Sequence, residues 1–236
     1  MKTKLFTYWQ GKKPGYIKLC EQIIKNKTKD VLEYHFVNDC NIFDYITDDL
    51  PDNYFKIQCV AHKADYIRCN LLLENGGVWL DLDQILLSDL SEIVNKLNDY
   101  DYISYEWERN CPSIGMICVN KNNIVLHEWK QKMKALINLK TFFGWEELGY
   151  QLLHPILHKK IENNEIRYFG YNARESFSPL EWREYNKFIE NGQLNTFGLQ
   201  SVMLYNSKFP EEIKNLSETD VLKQNCLLSK LISQNL

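Results

Sequence analysis

One stretch, residues 61–90 (AHKADYIRCNLLLENGGVWLDLDQILLSDL), constrains this chain more than any other. Over residues 60–73 the apolar side chains Val60, Ala64, Ile67, Leu71 and Leu72 recur at helical spacing. Asp65 and Arg68 are three residues apart, so a helix puts them on one face, where they can pair or jointly meet a ligand. Asn75-Gly76-Gly77 is helix-stop chemistry, because glycine enters left-handed dihedrals without a steric penalty. Val78-Trp79-Leu80 is too short and too β-prone to continue the helix and reads as a buried strand. It delivers Asp81-Leu82-Asp83, whose carboxylates point the same way from a strand end. Two adjacent carboxylates repel each other unless a cation neutralises them. A hard divalent ion with positions open for phosphate oxygens meets that need. Taken alone, Asp-x-Asp is usually a solvated turn. The helix, the glycine corner and the strand in front of it turn the reading toward a site.

The rest of the chain reads as an α/β domain. Residues 4–9 predict a strand, 10–15 a glycine turn and 16–25 a helix, the order in which α/β nucleotide-binding folds begin. A second strand is expected at 31–37, followed by the turn residues Asn38, Asp39 and Asn41, a short helix at 42–46 and a polar connection at 48–53. Beyond the paired aspartates come an extended segment at 86–90 and a brief helix at 91–97, capped by Ser91 with Val94 and Leu97 inward. Strands are expected at 102–105 and 114–119, around a polar, aromatic loop at 107–113. Residues 124–139 form an amphipathic helix with Val125, Leu126, Trp129, Met133, Leu136 and Ile137 inward. Two more strands are expected at 165–170 and 199–205. The amphipathic tail at 220–236 either packs on the domain or docks on a membrane surface.

At 236 residues the chain suits one domain with a substantial core. A net charge of −3 argues against nucleic acid as a partner. The seven cysteines lack metal-like or CxxC spacing and read as reduced and mostly buried. Residues 1–8 lack a signal-peptide pattern, and no apolar run reaches the ~20 residues of a membrane span. The expected location is the cytoplasm, with peripheral contact at the inner face of the membrane as an added expectation. No G-x-G-x-x-G follows the first strand, which argues against a dinucleotide-binding dehydrogenase.

The combined pattern A-x-x-x-D-x-x-R followed by G-G-x-x-x-D-x-D stands here as Ala61, Asp65, Arg68, Gly76, Gly77, Asp81 and Asp83. It resembles the nucleotide-sugar site of DXD-motif sugar transferases of glycosyltransferase family 32 and the capsular polysaccharide synthesis type. These are distant relatives of the large clostridial glucosylating toxins. The resemblance implies an α/β fold: a single type-A glycosyltransferase domain, Rossmann-like with a mixed central sheet and additional helices. Residues 1–120 would form its nucleotide-sugar half, and 121–236 the acceptor-side half and C-terminal helices. It also implies metal-dependent transfer of a sugar, with retention, from a nucleotide sugar (a UDP-sugar) to a surface glycan. That acceptor would belong to capsule or lipopolysaccharide, free or lipid-linked. The rivals are a toxin-like protein glycosyltransferase and an inactive nucleotide-sugar-binding domain.

The same resemblance assigns residues. Asp81, Asp83, Asp65 and Arg68 carry the chemistry, with Asp65 on hydroxyls of the ribose or donor sugar and Arg68 either fixing Asp65 or reaching the sugar. Trp9, or alternatively Tyr8, stacks on the base, with Gln10 and Gly77 beside the donor. Mn2+ or Mg2+ is held by Asp83 and Asp81. The chain departs from the family at Ala64, where a serine is usual, and at Met203, where relatives carry a histidine. Methionine does not suit a hard ion, which leaves Asn206 or Ser207 as oxygen ligands, or Lys208 to neutralise phosphate. Ser113, Glu146 and Glu147 are candidates on the acceptor side. The two glutamates read rather as a surface pair favoured by a helix dipole. Asn38 and Asp39 could meet the ribose or serve the turn, and His62 reads as a packed or surface residue.

Overall fold

A computed structural model of the chain describes residues 2–47, 50–108 and 111–236. Asp48 and Asp49 of the expected connection, and Arg109 and Asn110 of the expected loop, lie outside the described residues. The chain opens with β1 (Thr3–Tyr8), α1 (Gly15–Thr28) and β2 (Leu32–Val37). The central stretch forms α2 (Val60–Asn75), β3 (Gly77–Leu80) and β4 (Gln84–Leu86). There follow α3 (Ser91–Asn95), β5 (Tyr102–Glu106), β6 (Pro112–Val119), α4 (Ile124–Leu139), α5 (Tyr150–Glu162) and β7 (Tyr168–Asn172). The last third holds α6 (Ala173–Ser176), α7 (Asn186–Ile189), β8 (Ser201–Met203), α8 (Glu211–Lys214), α9 (Glu218–Lys223) and α10 (Leu227–Asn235).

Six strands make one sheet in the order β2-β1-β3-β6-β5-β7. β6 runs antiparallel to both its neighbours, while β1 pairs in parallel with β2 and β3 and β5 pairs in parallel with β7. This is a mixed central sheet, as the resemblance implies. Period-two alternation fills both faces, as a sheet covered on both sides requires. Leu5, Val78 and Leu80 enter a core with α1, β4, β8 and the C-terminal helices. Phe6, Tyr8 and Trp79 enter the other core with α2, α4 and α5.

α2 is more deeply placed than an amphipathic pattern requires. Every residue from 62 to 73 is buried, the polar Lys63, Asp65, Arg68 and Asn70 included. It stops where the sequence says it should. Gly76 (φ +67°) and Gly77 (φ +101°) hold left-handed dihedrals. A Cβ on Gly77 would lie 2.3 Å from the Lys4 carbonyl oxygen, so only glycine lets β3 start this close to β1. The corner thereby aims β3 so that the main chain at Asp81 still donates to the Gly115 carbonyl (2.8 Å) as the sheet ends.

Three local expectations are corrected, and the tail takes the packing role expected of it. Ser91 is not a cap: Asp89 accepts from its N–H (2.9 Å) and hydroxyl (2.6 Å), while Val94 and Leu97 pack against the core as expected and Ile93 is buried in it. The strand expected at 165–170 begins three residues later, because Glu165 is occupied by Lys160 and Asn163. The late strand is only β8, paired antiparallel with β4. The tail's apolar side chains, Leu227, Leu228, Leu231 and Ile232, are buried in the core beside α1. The helix face on which membrane docking would depend is therefore already covered. No helix among the described residues is long and apolar enough to cross a membrane.

Candidate active site

The carboxyl ends of β1 and β3, the start of α2 and the turn after β8 surround a cavity of about 500 Å3. Its walls include Tyr8, Trp9 and Gln10 on one side, Arg68, Asp81 and Asp83 at the base, and Asn206 and Ser207 opposite. A second cavity of about 370 Å3 abuts it, lined by Asp65, Ser113, Glu146, Gly149 and Tyr150. The two share Ala61, Arg68, Asp81 and Trp145, so Arg68 and Asp81 stand at the junction.

Arg68 organises this junction. Both Asp65 and Arg68 are 4% exposed. The guanidinium reaches Asp65 at 3.3 Å and Asp81 at 3.4 Å. It donates through Nε to the Ala64 carbonyl (3.3 Å) and through Nη1 to the Ile114 carbonyl. It also lies 4.8 Å from the Trp79 ring centre, a cation–π contact. A guanidinium so fully engaged holds the two aspartates and has little left to offer a sugar. The Trp79 indole N–H adds a 2.7 Å bond to Asp81.

Three acids share one arginine, and their protonation reflects it. Burial lifts Asp65 to about 7, with Arg68 opposing and Asp81 reinforcing the rise. Burial and the Asp81 charge lift Asp83 to about 6, while the Asn206 N–H partly offsets them through a 2.9 Å bond. Burial also raises Asp81, against the pull of Arg68 and Trp79. One guanidinium thus faces three buried carboxyls. Among the described residues no group of three or more His, Cys, Asp or Glu is placed to hold a metal. The oxygens that line the cavity with Asp81 and Asp83 come instead from Asn206 and Ser207. The Asn206 amide oxygen accepts from the Tyr16 hydroxyl at 2.5 Å. Met203 lines the same wall through a thioether, as the sequence warned.

Other candidates separate clearly. Trp9 lines the cavity and its indole N–H has no hydrogen-bond partner among the described residues. Tyr8 lines it too, but its hydroxyl is committed to Asp39 (2.6 Å). Gly77 is a correction: it lies at the far end of β3, lines neither cavity, and its requirement is the approach to Lys4. Glu146 lines the second cavity, whereas Glu147 is held by Lys140 (2.5 Å) and the Gly144 N–H (2.9 Å). Lys140 and that N–H also keep Glu147 below the usual carboxylate range. Asn38 serves the turn, accepting from the Cys40 and Asn41 N–H groups. Lys208 sits near the Trp182 ring (4.8 Å to its centre), outside both cavities.

Three roles escaped sequence reasoning, although Asp39 itself is a candidate for the ribose or the turn. Trp145, 67% exposed, borders both cavities from the loop after α4. Gly149 leaves room for Asp65: a Cβ there would come within 3.1 Å of the carboxylate and 2.7 Å of Ile114. Asp39 accepts from Tyr8, Tyr54 (3.1 Å) and Lys63 (2.6 Å), and its N–H meets the Gln10 side chain (3.3 Å). It thus ties the Tyr8–Gln10 wall to α2. Nothing local in the sequence marks these roles, since each depends on residues brought together from distant parts of the chain.

The family model of the capsular polysaccharide synthesis proteins matches residues 1–168. HOC1 of Saccharomyces cerevisiae, provisionally described as a glycosyltransferase, is 18% identical over 178 residues, 74% of this chain and 40% of that protein. The chain therefore spans less than half the length of that curated relative. The structure of the PaToxG glycosyltransferase superposes with a TM-score of 0.51 at 14% identity, over 69% of this chain and 71% of the other. The apo form of the glycosyltransferase GlyE from Streptococcus pneumoniae TIGR4 gives 0.51 at 14% identity, over 100% of this chain and 60% of that one. At such identities the solved structures speak for the fold, and the family model for the kinship. The chain belongs to the capsular polysaccharide synthesis protein family, and its fold is that of the glycosyltransferase structures on which it superposes.

Proposed function

We propose that the chain moves a sugar from a nucleoside diphosphate sugar, a UDP-sugar by resemblance, to a hydroxyl of a capsule or lipopolysaccharide glycan, with retention. The observation that carries this reading is the pair of adjoining cavities meeting at Arg68 and Asp81. Trp9 and Tyr8 offer aromatic surface to the base in one cavity, and Asp65 offers a carboxylate to hydroxyls in the other. On this reading residues 1–120 supply most of the donor half. Residues 121–236 supply the acceptor side, with residues 203–207 crossing back to close the donor cavity.

The residues present fit a divalent cation. Asp81 and Asp83, two buried carboxyls with one arginine near them, line the same cavity as Asn206 and Ser207, and oxygen-bearing side chains of this kind suit Mn2+ or Mg2+. When bound, such an ion would neutralise the charge that develops on a departing diphosphate. The protein's own work is positional. Arg68 fixes Asp65 and Asp81, Asp39 fixes the Tyr8–Gln10 wall, and the Asn206 N–H fixes Asp83. The acceptor oxygen forms a bond to the anomeric carbon as the bond from that carbon to the phosphate oxygen breaks. The acceptor proton passes to the leaving oxygen on the same face, so no fixed protein base is required.

The test compares wild type with Asp83→Ala on a panel of nucleotide sugars, with Mn2+ or with EDTA, by thermal shift and by release of the nucleoside diphosphate. Binding and cation-dependent release by wild type, lost in the variant while its fold persists, is expected. Full turnover by Asp83→Ala would overturn the assignment. Met203 in the histidine's place favours one other reading, a domain that binds donor without catalysis. Binding with no release or transfer would select it.

A further inference from the structure

A third cavity, of about 550 Å3, opens beside the donor cavity and shares Cys59 and Trp145 with it. Its size falls within the roughly 300–1,000 Å3 of ligand pockets. Phe142, 86% exposed, and Trp145 present aromatic faces at this cavity. Lys56, Gln58 and Thr141 add polar groups to its lining. The Lys56 ammonium bonds only the neutral Asn53 amide oxygen (2.9 Å), with no carboxylate partner among the described residues. His62, beneath the edge of Phe143 (ring centres 5.6 Å apart), has an Nε2 that is buried and without a partner.

The segment that carries this wall is anchored. The Asn53 amide donates to the Ile137 and Asn138 carbonyls (3.1 and 3.0 Å), joining the loop before α2 to the end of α4. Two large aromatics exposed on an anchored scaffold, next to amide, hydroxyl and ammonium groups, suit a pyranose ring. The ring's C–H face seeks apolar surface and its rim seeks hydrogen bonds. A lipid surface would be matched less well by Gln58, Thr141 and the unpartnered imidazole nitrogen at the same cavity, because polar groups buried without partners are costly.

We propose that this third cavity is an acceptor subsite, holding a sugar unit of the acceptor glycan against Trp145 and Phe142 while the neighbouring unit presents its hydroxyl at the Arg68–Asp81 junction. Trp145, which borders all three cavities, is the step between them. The inference rests on the glycosyltransferase reading, so its test measures donor and acceptor separately.

The probes are a hexosyl-hexose, an N-acetylhexosaminyl-hexose and a hexuronosyl-hexose, observed by saturation-transfer NMR with wild type, Phe142→Ala and Lys56→Ala in the presence of excess UDP and Mg2+. Both altered residues line only the third cavity, and Phe142 is surface-exposed, so its truncation leaves the fold intact. At least one disaccharide should bind wild type and weaken about fivefold in Phe142→Ala, with UDP affinity and UDP-sugar hydrolysis unchanged. Failure of all three to bind wild type, or equal binding by Phe142→Ala, would overturn the subsite while leaving the donor reading standing. Failure of UDP itself to bind would instead strike the donor reading. Phosphatidylglycerol vesicles provide the last arm: vesicle binding lost in Phe142→Ala, with disaccharide binding unaffected, would assign the rim to a membrane and overturn the proposal.

Discussion

Arg68→Met removes the single cation that Asp65 and Asp81 share, and its effect can be worked out from the contacts. The side chain is 4% exposed and pairs with both carboxylates within 3.4 Å. Methionine keeps much of the volume and the contact with Trp79 but leaves both acids without a cation, Asp81 retaining only the Trp79 N–H. Breaking a buried pair by deleting one member costs about 3–5 kcal/mol. For a domain of this size each kcal/mol moves the melting temperature by about 2–4 °C, so a fall of about 6–20 °C is expected. A domain holding more than about 5 kcal/mol, within the usual range of about 5–15 kcal/mol, still folds with that loss. The loss should also depend on pH. The folded Asp65 carboxyl titrates near 7, above its ordinary value of about 3.9. Between those values the folded chain holds a proton that the unfolded chain releases, so this group's contribution to stability falls as pH rises through the window. Arg68 opposes the rise in Asp65, so its removal extends the window upward. At pH 5 Asp65 is protonated in both proteins, so the gap between them is narrower there than at pH 8.5. Thermal unfolding followed by circular dichroism at pH 5, 7 and 8.5 measures this directly. A melting difference under about 2 °C, or a gap that does not grow with pH, would refute the account of Arg68 as the shared counter-ion.

Gly77→Ala should destabilise the chain by more than about 1 kcal/mol and lower soluble yield, because φ is +101° and the new methyl meets the Lys4 carbonyl; denaturant melts check it. Asp39→Asn should weaken nucleotide binding without abolishing transfer, since Tyr8 and Gln10 lose their common anchor; calorimetry with UDP against turnover measures the split. Asp39 itself is pushed up by burial, but Lys63, Tyr8 and Tyr54 outweigh that and hold it low. Its stabilising contribution is therefore complete above the ordinary aspartate value and disappears as pH falls through the lowered folded value, a loss absent in the variant. Glu147→Gln should leave turnover within about twofold, since its carboxylate is spent on Lys140 and its removal is a surface change. A steady-state assay showing a much larger loss would bring that residue into the site.

Local chemistry made much of this protein legible from its residues. The spacing of Asp65 and Arg68, the Gly76–Gly77 corner and the short strand before Asp81 each rest on interactions within a few positions, so the pattern that predicts them is also their cause. Alternation along β1 and β3 follows from the two-residue pleat, and the apolar tail declared its need for cover. The sequence alone therefore determined that a charged helix, a glycine corner and a paired-acid strand end would come in succession, and that an α/β sheet would carry them. Only the tertiary structure decided which partners they would meet. Asp39 reaching back to Tyr8, Asn206 returning to Asp83 and Trp145 standing between cavities join residues tens or hundreds of positions apart. Such contacts depend on the order of strands and the packing of layers, and the same local sequence would be compatible with other neighbours. Burial likewise belongs to the whole: an aspartate has an ordinary pKa until the fold removes its water, and Asp65 is raised because α2 is sealed on nearly every side.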